Sequence, residues 1–264
     1  MSFPSVLDAA LSERYLEERL RMFVPIHDDN KLKSIPFQYV TLILIALNVA
    51  VFLVQQASGK PLAAFASFAL VPAEFFQVGY FGGAANGQFD QVAFPEPYTL
   101  ITYIFVHGDF SHLLFNMLFL WVFGDNVEDA VGHFKFLVFY IACGIFAGLL
   151  HAYMVPDSPR PLIGASGAVA GVMAAYLMLH PKVQVWVLVM RIFLPIKIYA
   201  IWALGAWIAM QFVMVYLAQI GVHKGPVAWW AHIGGLIAGA LLILIMRRPG
   251  VPLFDRVGGK VEGA

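Results

Sequence analysis

The sequence predicts an all-α membrane protein, a bundle of six transmembrane helices with both termini on the cytoplasmic side. Three observations support this prediction: the composition, six apolar segments and the distribution of basic residues. The chain is 61% hydrophobic and 12% charged, with a mean hydropathy of +0.78, whereas about a quarter of the residues in a soluble domain are charged. The 16 basic residues balance the 16 acidic ones, which argues against nucleic acid as a partner.

Six segments have a polarity that suits membrane helices, and five of them reach the length that a span needs, roughly 20 apolar residues and at least about 17. They cover residues 37–55, 111–127, 134–154, 166–179, 196–220 and 227–246. The fourth is short and ends at His180-Pro181, so we expect it to begin and end below the membrane surface. Residues 185–194 are apolar but too few to span. The predicted domains are a cytoplasmic tail (1–36), the membrane domain (37–248) and a second cytoplasmic tail (249–264).

Basic residues determine the predicted orientation, because cytoplasmic loops retain Lys and Arg. With six spans, three basic residues lie on the outer side: Lys60, Arg160 and Lys224. The other 13 of the 16 share the cytoplasmic side, namely Arg14, Arg19, Arg21, Lys31, Lys33, Lys135, Lys182, Arg191, Lys197, Arg247, Arg248, Arg256 and Lys260. An odd number of spans would remove this asymmetry.

Two regions outside the spans have a composition of their own. Residues 1–33 lack the apolar core of a signal peptide, and residues 7–23 fit a charged amphipathic helix on the membrane surface or in solution. Residues 58–97 are rich in Gly, Pro and Phe without an apolar stretch long enough to span. We expect this second region to lie partly in the membrane interface.

Polar residues of three predicted spans fall at one depth. Ser166, in the sequence Gly164-Ala165-Ser166-Gly167, begins the fourth span; His112 and Asn116 open the second, and His232 lies near the start of the sixth. With six spans all three helices run inward, so these side chains lie within roughly 10 Å of one another along the membrane normal. Taken singly, the serine is explained by a hydrogen bond to its own helix, and the histidines by hydrogen bonds between helices. Their common depth favours a shared functional site.

Small residues favour direct packing of the fourth span on the sixth. Gly167 and Gly171 form one small-xxx-small pair, and Gly235 and Gly239 form another. Such pairs let two helix backbones approach closely, although they also occur in general membrane-helix packing. If the two stripes face each other, His232 is carried towards Ser166.

This arrangement suits nucleophilic catalysis. His232 can take the proton of the Ser166 hydroxyl and later return it to a leaving amine. The first N–H groups of the fourth span, at Ser166 and Gly167, have no intrahelical acceptor. With His112 and Asn116 they can form an oxyanion hole. We find no carboxylate placed to orient His232, so the prediction is a Ser–His dyad without metal or cofactor.

Four motifs in this order resemble the rhomboid family of intramembrane serine proteases, and the match covers most of residues 25–248. They are residues 107–116 (HGDFSHLLFN), Gly124-xxx-Glu128-xxx-Gly132, Gly164-Ala165-Ser166-Gly167, and Ala231-His232-xx-Gly235-xxx-Gly239. The resemblance implies Ser166 as nucleophile, His232 as base, and His112, Asn116 and backbone N–H groups as the oxyanion hole. Glu128 is expected to make a structural contact between loop and helix.

The resemblance also implies substrates and surroundings. Substrates would be single-span membrane proteins, cut near the outer face by a multi-pass protein of a bacterial plasma membrane. Residues 58–97 resemble the family's membrane-embedded first loop, and residues 221–226 its mobile cap. The chain departs from the family in two places. Tyr98-Thr99 replaces a frequent Trp-Arg, and Ala170 replaces an aromatic residue that stacks on the base in some members, which leaves backbone packing or another aromatic to position His232.

Other classes of protein remain open. A client-binding pseudoprotease would share the fold, although the presence of both Ser166 and His232 argues against it. A haem- or metal-binding membrane protein could use the outer histidines 107, 112, 151 and 232, but would leave the Gly-flanked serine unexplained. A transporter fits the hydropathy, but no broken-helix repeat is visible. The single cysteine, Cys143, fits a small buried packing residue.

Overall fold

The computed structural model describes residues 23–59, 63–77, 94–189, 193–222 and 227–254, and these are mostly helical. All but the last residue of the predicted helix at 7–23, and most of the predicted cap at 221–226, lie outside these ranges. In chain order the elements are β1 (Phe23–Asp28), α1 (Tyr39–Ala57), a 3₁₀ helix (Ala63–Phe68), α2 (Pro72–Gln77), α3 (Glu96–Thr102), a 3₁₀ turn (Tyr103–Phe105), α4 (Phe110–Val131), α5 (His133–Met154), α6 (Ser166–Leu179), β2 (Gln184–Val189), β3 (Leu194–Tyr199), α7 (Ala200–Gln219) and α8 (Trp229–Met246).

Four helices, α1, α5, α7 and α8, are long and apolar enough to cross a membrane. Their outward faces carry large apolar side chains: Trp202 on α7 is 71% exposed and Ile245 on α8 is 77% exposed. Apolar surface of this extent is stable against lipid rather than water. The chain is therefore an integral membrane protein.

The remaining two predicted spans correspond to α6 and α4. The bounds of α6, Ser166–Leu179, agree with the prediction. The second segment was predicted to end at Val127, but α4 continues to Val131. Its last turns can carry the acidic residues Glu128 and Asp129 because both carboxylates are satisfied by backbone N–H groups of another part of the chain.

Glu128 and Asp129 hold the segment that leads into α1. The Glu128 carboxylate accepts hydrogen bonds from Val40 N (3.0 Å), Thr41 N (2.8 Å) and Thr41 Oγ1 (2.7 Å). Asp129 accepts from the backbone of Ser34 (2.6 Å) and Ile35 (2.8 Å). A carboxylate at the first turn of a helix satisfies N–H groups that have no intrahelical partner and matches the helix dipole. These bonds join α1 to α4.

The glycines place α6 between α5 and α8. A Cβ on Gly235 would lie 1.8 Å from Gly167 O, and one on Gly239 would lie 2.0 Å from Gly171 O. On the other side of α6, a Cβ on Gly167 would meet Ala147 Cβ at 2.6 Å. The stripe on α8 therefore faces the backbone of α6, whereas the glycines of α6 present their bare Cα atoms mainly to α5.

A three-stranded antiparallel sheet corrects the all-α prediction. β2 lies between β1 and β3, with Phe23 opposite Val189 and Val185 opposite Ile198. The apolar stretch that was too short to span forms β2, and the predicted start of the fifth span at Ile196 is wrong, because residues 194–199 form β3. Alternate residues of β2, Val185 and Val187, are buried, which is the period of a strand.

Hydrogen bonds connect this sheet to the helices. Asp28, at the end of β1, accepts from Tyr176 Oη of α6 at 2.6 Å and from Asn126 Nδ2 of α4 at 3.1 Å. All three side chains lie inside the protein, and Asp28 is 5% exposed. Part of the predicted N-terminal tail is thus bonded to the helix that begins at Ser166.

The described parts of the Phe-rich region pack on α5 and on the turn before α6. Leu70 exchanges two backbone hydrogen bonds with Leu162, of 3.1 and 2.8 Å. The residues that follow this region also pack on α5: Tyr103 is buried, and its hydroxyl donates to Gly144 O at 2.7 Å. Thr99, at the position of the departure from the family pattern, is fully buried and donates to Glu96 O at 2.6 Å. Residues 78–93 of this region lie outside the described ranges.

Candidate active site

Gly164 shapes the turn that presents Ser166. Its φ of +107° lies in a region that side-chain-bearing residues rarely adopt. A Cβ there would also lie 2.5 Å from His112 Cε1 and 2.6 Å from His112 Nε2. The Gly164 N–H donates to Tyr103 O at 2.9 Å, so the turn is fixed from outside the helix as well. Glycine is therefore required both by the backbone angle and by the approach of the His112 ring.

Ser166 and His232 are in hydrogen-bond contact. Ser166 Oγ lies 3.0 Å from His232 Nε2. Ser166 is half-buried at the start of α6, while His232 is 8% exposed on the first turn of α8. The close approach of α6 and α8 along their glycines accounts for this contact, since a wider spacing would separate the two side chains.

Gln211 and two tryptophans surround the other side of the imidazole, and none of them was predicted. Gln211 Oε1, from α7, lies 2.7 Å from His232 Nδ1. The rings of Trp207 and Trp229 each have their centroid 5.8 Å from that of His232. Trp207 and Trp229 are thus aromatic neighbours of His232, on α7 and α8 rather than at position 170. The sequence carried one signal for Gln211: it is a lone polar residue inside the apolar run of α7.

His112 and Asn116 lie on one face of α4. Asp109 caps this helix, with its Oδ1 accepting from His112 N at 2.8 Å, and the His112 ring packs against Gly164. Asn116 is buried, and its Nδ2 donates to His112 O at 3.0 Å. This bond occupies one of the two amide protons and leaves the other available. Among the hydrogen bonds of the described residues, none joins His112 or Asn116 to Ser166 or His232.

His107 contacts the turn that precedes Ser166. Its backbone carbonyl accepts from Gln55 Nε2 of α1 at 2.7 Å, and its Nε2 lies 3.5 Å from Ala165 N. The ring packs edge-on against that of His112, with centroids 5.1 Å apart. Burial, assisted by the neighbouring His112, lowers the pKa of His107 to about 4, so this ring is neutral at physiological pH. A neutral ring can accept the Ala165 N–H.

The site combines a hydroxyl, an imidazole and backbone donors at a helix start. α6 begins at Ser166 and no side chain caps it, so the N–H groups of Ser166 and Gly167 have no intrahelical acceptor. A hydroxyl beside an imidazole, with such N–H groups next to it, suits acyl transfer. In the part of the chain that the structure describes, no three His, Cys, Asp or Glu side chains are placed to hold a metal ion.

Comparison with known proteins identifies the family of the chain. Residues 95–249 match the rhomboid domain. The chain is 32% identical to "Rhomboid protease AarA" of Providencia stuartii over 227 residues, which cover 76% of this chain and 70% of that protein. It is 35% identical to "Rhomboid protease GluP" of Bacillus subtilis over 129 residues, covering 46% of this chain but only a quarter (25%) of that protein's length.

The matches extend to organelles: the chain is 30% identical to "Rhomboid protein 1, mitochondrial" of Saccharomyces cerevisiae over 149 residues, covering 54% of this chain and 40% of that protein. The domain match includes α4, α6, α7 and α8, which carry His112, Asn116, Ser166, Gln211 and His232. By the extent of these matches, the chain belongs to the rhomboid family.

Proposed function

We propose that this protein is an intramembrane serine endopeptidase, which hydrolyses a peptide bond in or near the transmembrane segment of a membrane protein. The observation that supports this most directly is the 3.0 Å distance between Ser166 Oγ and His232 Nε2. Both residues lie at the starts of helices packed backbone to backbone. The names of the relatives from Providencia stuartii and Bacillus subtilis, both rhomboid proteases, point to the same activity.

In the proposed reaction, Ser166 Oγ attacks the carbonyl carbon of the substrate while its proton passes to His232 Nε2. The resulting tetrahedral intermediate carries a negative oxygen, for which the N–H groups of Ser166 and Gly167, the second Asn116 amide proton and the His112 ring are the available donors. Return of the proton from His232 to the leaving amine breaks the C–N bond. Water then attacks the acyl-enzyme by the same route and releases the new carboxyl group.

The proposed membrane arrangement has six spans, both termini in the cytoplasm and the site near the outer surface. Besides the four apolar helices, it assigns α4 and α6 to the membrane. With 14 residues, α6 measures roughly 21 Å, less than the roughly 30 Å hydrocarbon core. At least one of its ends therefore lies below the surface, and the proposed arrangement assigns that position to the Ser166 end, which packs between α5 and α8. The proposed substrates are single-span membrane proteins cut near that face.

Labelling with a fluorescent fluorophosphonate tests this function, because the reagent reacts only with an activated serine. We expect the wild-type protein to be labelled and cut a single-span reporter in liposomes. Ser166→Ala and His232→Ala should abolish both signals while the proteins remain folded, as judged by cooperative thermal unfolding. Ser158→Ala, which removes a serine of the loop before α6, is the matched control and should behave like wild type.

Two results would contradict the proposal. Undiminished reporter cleavage by purified Ser166→Ala would exclude this serine as the nucleophile. A folded wild-type protein that retains the reporter but neither cuts it nor takes the label would indicate a client-binding pseudoprotease instead.

A further inference from the structure

Gln211 is the one buried polar side chain in the described part of α7. α7 buries few residues: Ala200, Leu204, Gln211, Met214 and Val215. Most of the rest of the helix faces outwards. A primary amide without exposed surface is stable only if its donors and acceptor find partners. The question is which partners determine its orientation.

The amide orientation follows from the two bonds that Gln211 makes. Nε2 donates to the Trp207 carbonyl oxygen, one turn back, at 3.0 Å. The amide oxygen then faces His232 Nδ1 at 2.7 Å. Turning the amide over would place Oε1 against the Trp207 carbonyl oxygen, and two acceptors would face each other without a proton between them. The Trp207 carbonyl therefore selects the orientation with oxygen towards the imidazole.

We propose that Gln211 is the positioning residue of the site, which holds the proton of His232 on Nδ1 and leaves Nε2 free to accept the Ser166 proton. This inference rests on the proposed function. Because Oε1 can only accept, Nδ1 must donate, and a neutral imidazole then has an unprotonated Nε2. Nε2 is the atom that lies 3.0 Å from Ser166 Oγ.

Gln211 performs part of the task that an aspartate performs in a Ser-His-Asp triad. An aspartate fixes the tautomer and ring orientation and also stabilises the imidazolium by its charge. The amide oxygen keeps the first two effects and offers only its dipole for the third. In addition, the residue comes from α7, whereas Ser166 and His232 come from α6 and α8. A productive imidazole therefore requires three helices in place, although only two carry the reacting groups.

Replacement of Gln211 tests this role by two independent readouts. Gln211→Leu retains the bulk but removes the acceptor. We expect kcat to fall roughly 10- to 100-fold, which is at or below the lower limit of acid–base contributions because the imidazole itself remains, with KM within about twofold of wild type. Gln211→Glu keeps an acceptor at the same reach, and as a neutral carboxylic acid it also has a donor for the Trp207 carbonyl oxygen, so it should recover most of the rate. Gln219→Leu, a change of the exposed glutamine on the same helix, is the matched control and should keep wild-type kinetics.

Nitrogen-15 NMR of selectively labelled histidine provides the second readout, which does not depend on turnover. With His232→Gln used to assign its signals, wild-type His232 should show a protonated Nδ1 and an unprotonated Nε2, also in the Ser166→Ala background. In Gln211→Leu we expect a mixture of both tautomers. A merely structural role would lower the unfolding temperature without changing this ratio.

The outcomes separate this inference from the proposed function. Wild-type kcat in a folded Gln211→Leu protein, or an unchanged tautomer ratio in it, would refute the role of Gln211 and leave the dyad intact. Cleavage by Ser166→Ala would refute the dyad, whatever the NMR signals show.

Discussion

We predict that Gly239→Ala destabilises the protein, because this glycine lies at the contact between α6 and α8. The new Cβ would lie 2.0 Å from Gly171 O and 2.5 Å from both Gly171 C and Gly171 Cα. Carbon atoms pack at about 3.5–4.0 Å, and all three obstacles are backbone atoms that no rotamer change can move. The two helices therefore have to separate by at least about 1 Å. Overpacking of a core costs roughly 1–3 kcal/mol, and we expect about 3 kcal/mol here because α6 is held on its other side by α5.

Gly205→Ala on α7 is the matched control, because nothing lies within 4 Å of a Cβ at that position. Alanine is favoured over glycine in a helix by up to about 1 kcal/mol, so this variant should be as stable as wild type or slightly more stable. Reversible unfolding in mixed micelles, followed by tryptophan fluorescence, gives both free energies. If Gly239→Ala unfolds at the same denaturant concentration as Gly205→Ala, the close packing of α6 on α8 is refuted.

Two further predictions concern the residues around the serine turn. Asn116→Ala should lower kcat by roughly 10²- to 10³-fold, the usual loss for an oxyanion donor. Asn48→Ala is the control, because it removes the same i→i−4 side-chain bond on α1, and it should keep the wild-type kcat. Equal rates for the two variants in the reporter assay would assign oxyanion binding to His112 and the backbone alone. The pKa of His107 is lowered to about 4 by burial, so the unfolded chain binds the proton first as the pH falls. The stability due to neutral His107 is complete above about pH 6.5 and falls by roughly 3 kcal/mol as the pH is lowered towards 4. The free energy of unfolding should therefore change less between pH 7 and pH 4 in His107→Gln than in wild type. An equal change in the two proteins would contradict the lowered pKa of His107.

The helices that form the site could be predicted from the sequence because their signals are local. Apolar length and the His180-Pro181 stop predicted the bounds of α6, and those bounds are confirmed. The common depth of Ser166 and His232 followed from counting residues along inward-running helices. What brings them into contact is lateral packing of α6 on α8; the glycine pair on α8 lies at this contact, whereas the pair on α6 faces mainly α5.

The parts that could not be predicted depend on distant partners. β1 is only six residues long, and it forms a strand because residues 184–189 lie beside it, which no local pattern shows. The apolar residues of β2 were assigned to a segment too short to span, and those of β3 to the start of a span. Gln211 stood out as a polar residue in an apolar run, but its bond to His232 depends on how α7 rotates about its axis, and hydropathy along α7 does not determine that rotation.

The sheet has a consequence for the order of events during synthesis. Phe23 pairs with Val189, so the ribosome completes β1 more than 160 residues before its partner strand. At roughly 5–20 residues per second, the first strand waits on the order of 10–30 s with an unsatisfied backbone edge. During that interval α1, α4, α5 and α6 are made, and the bond between Asp28 and Tyr176 cannot form until the last of them has left the ribosome. Closure of the sheet can therefore begin only after α6 has been made, whereas α7 and α8, which complete the helical core, are synthesised later still.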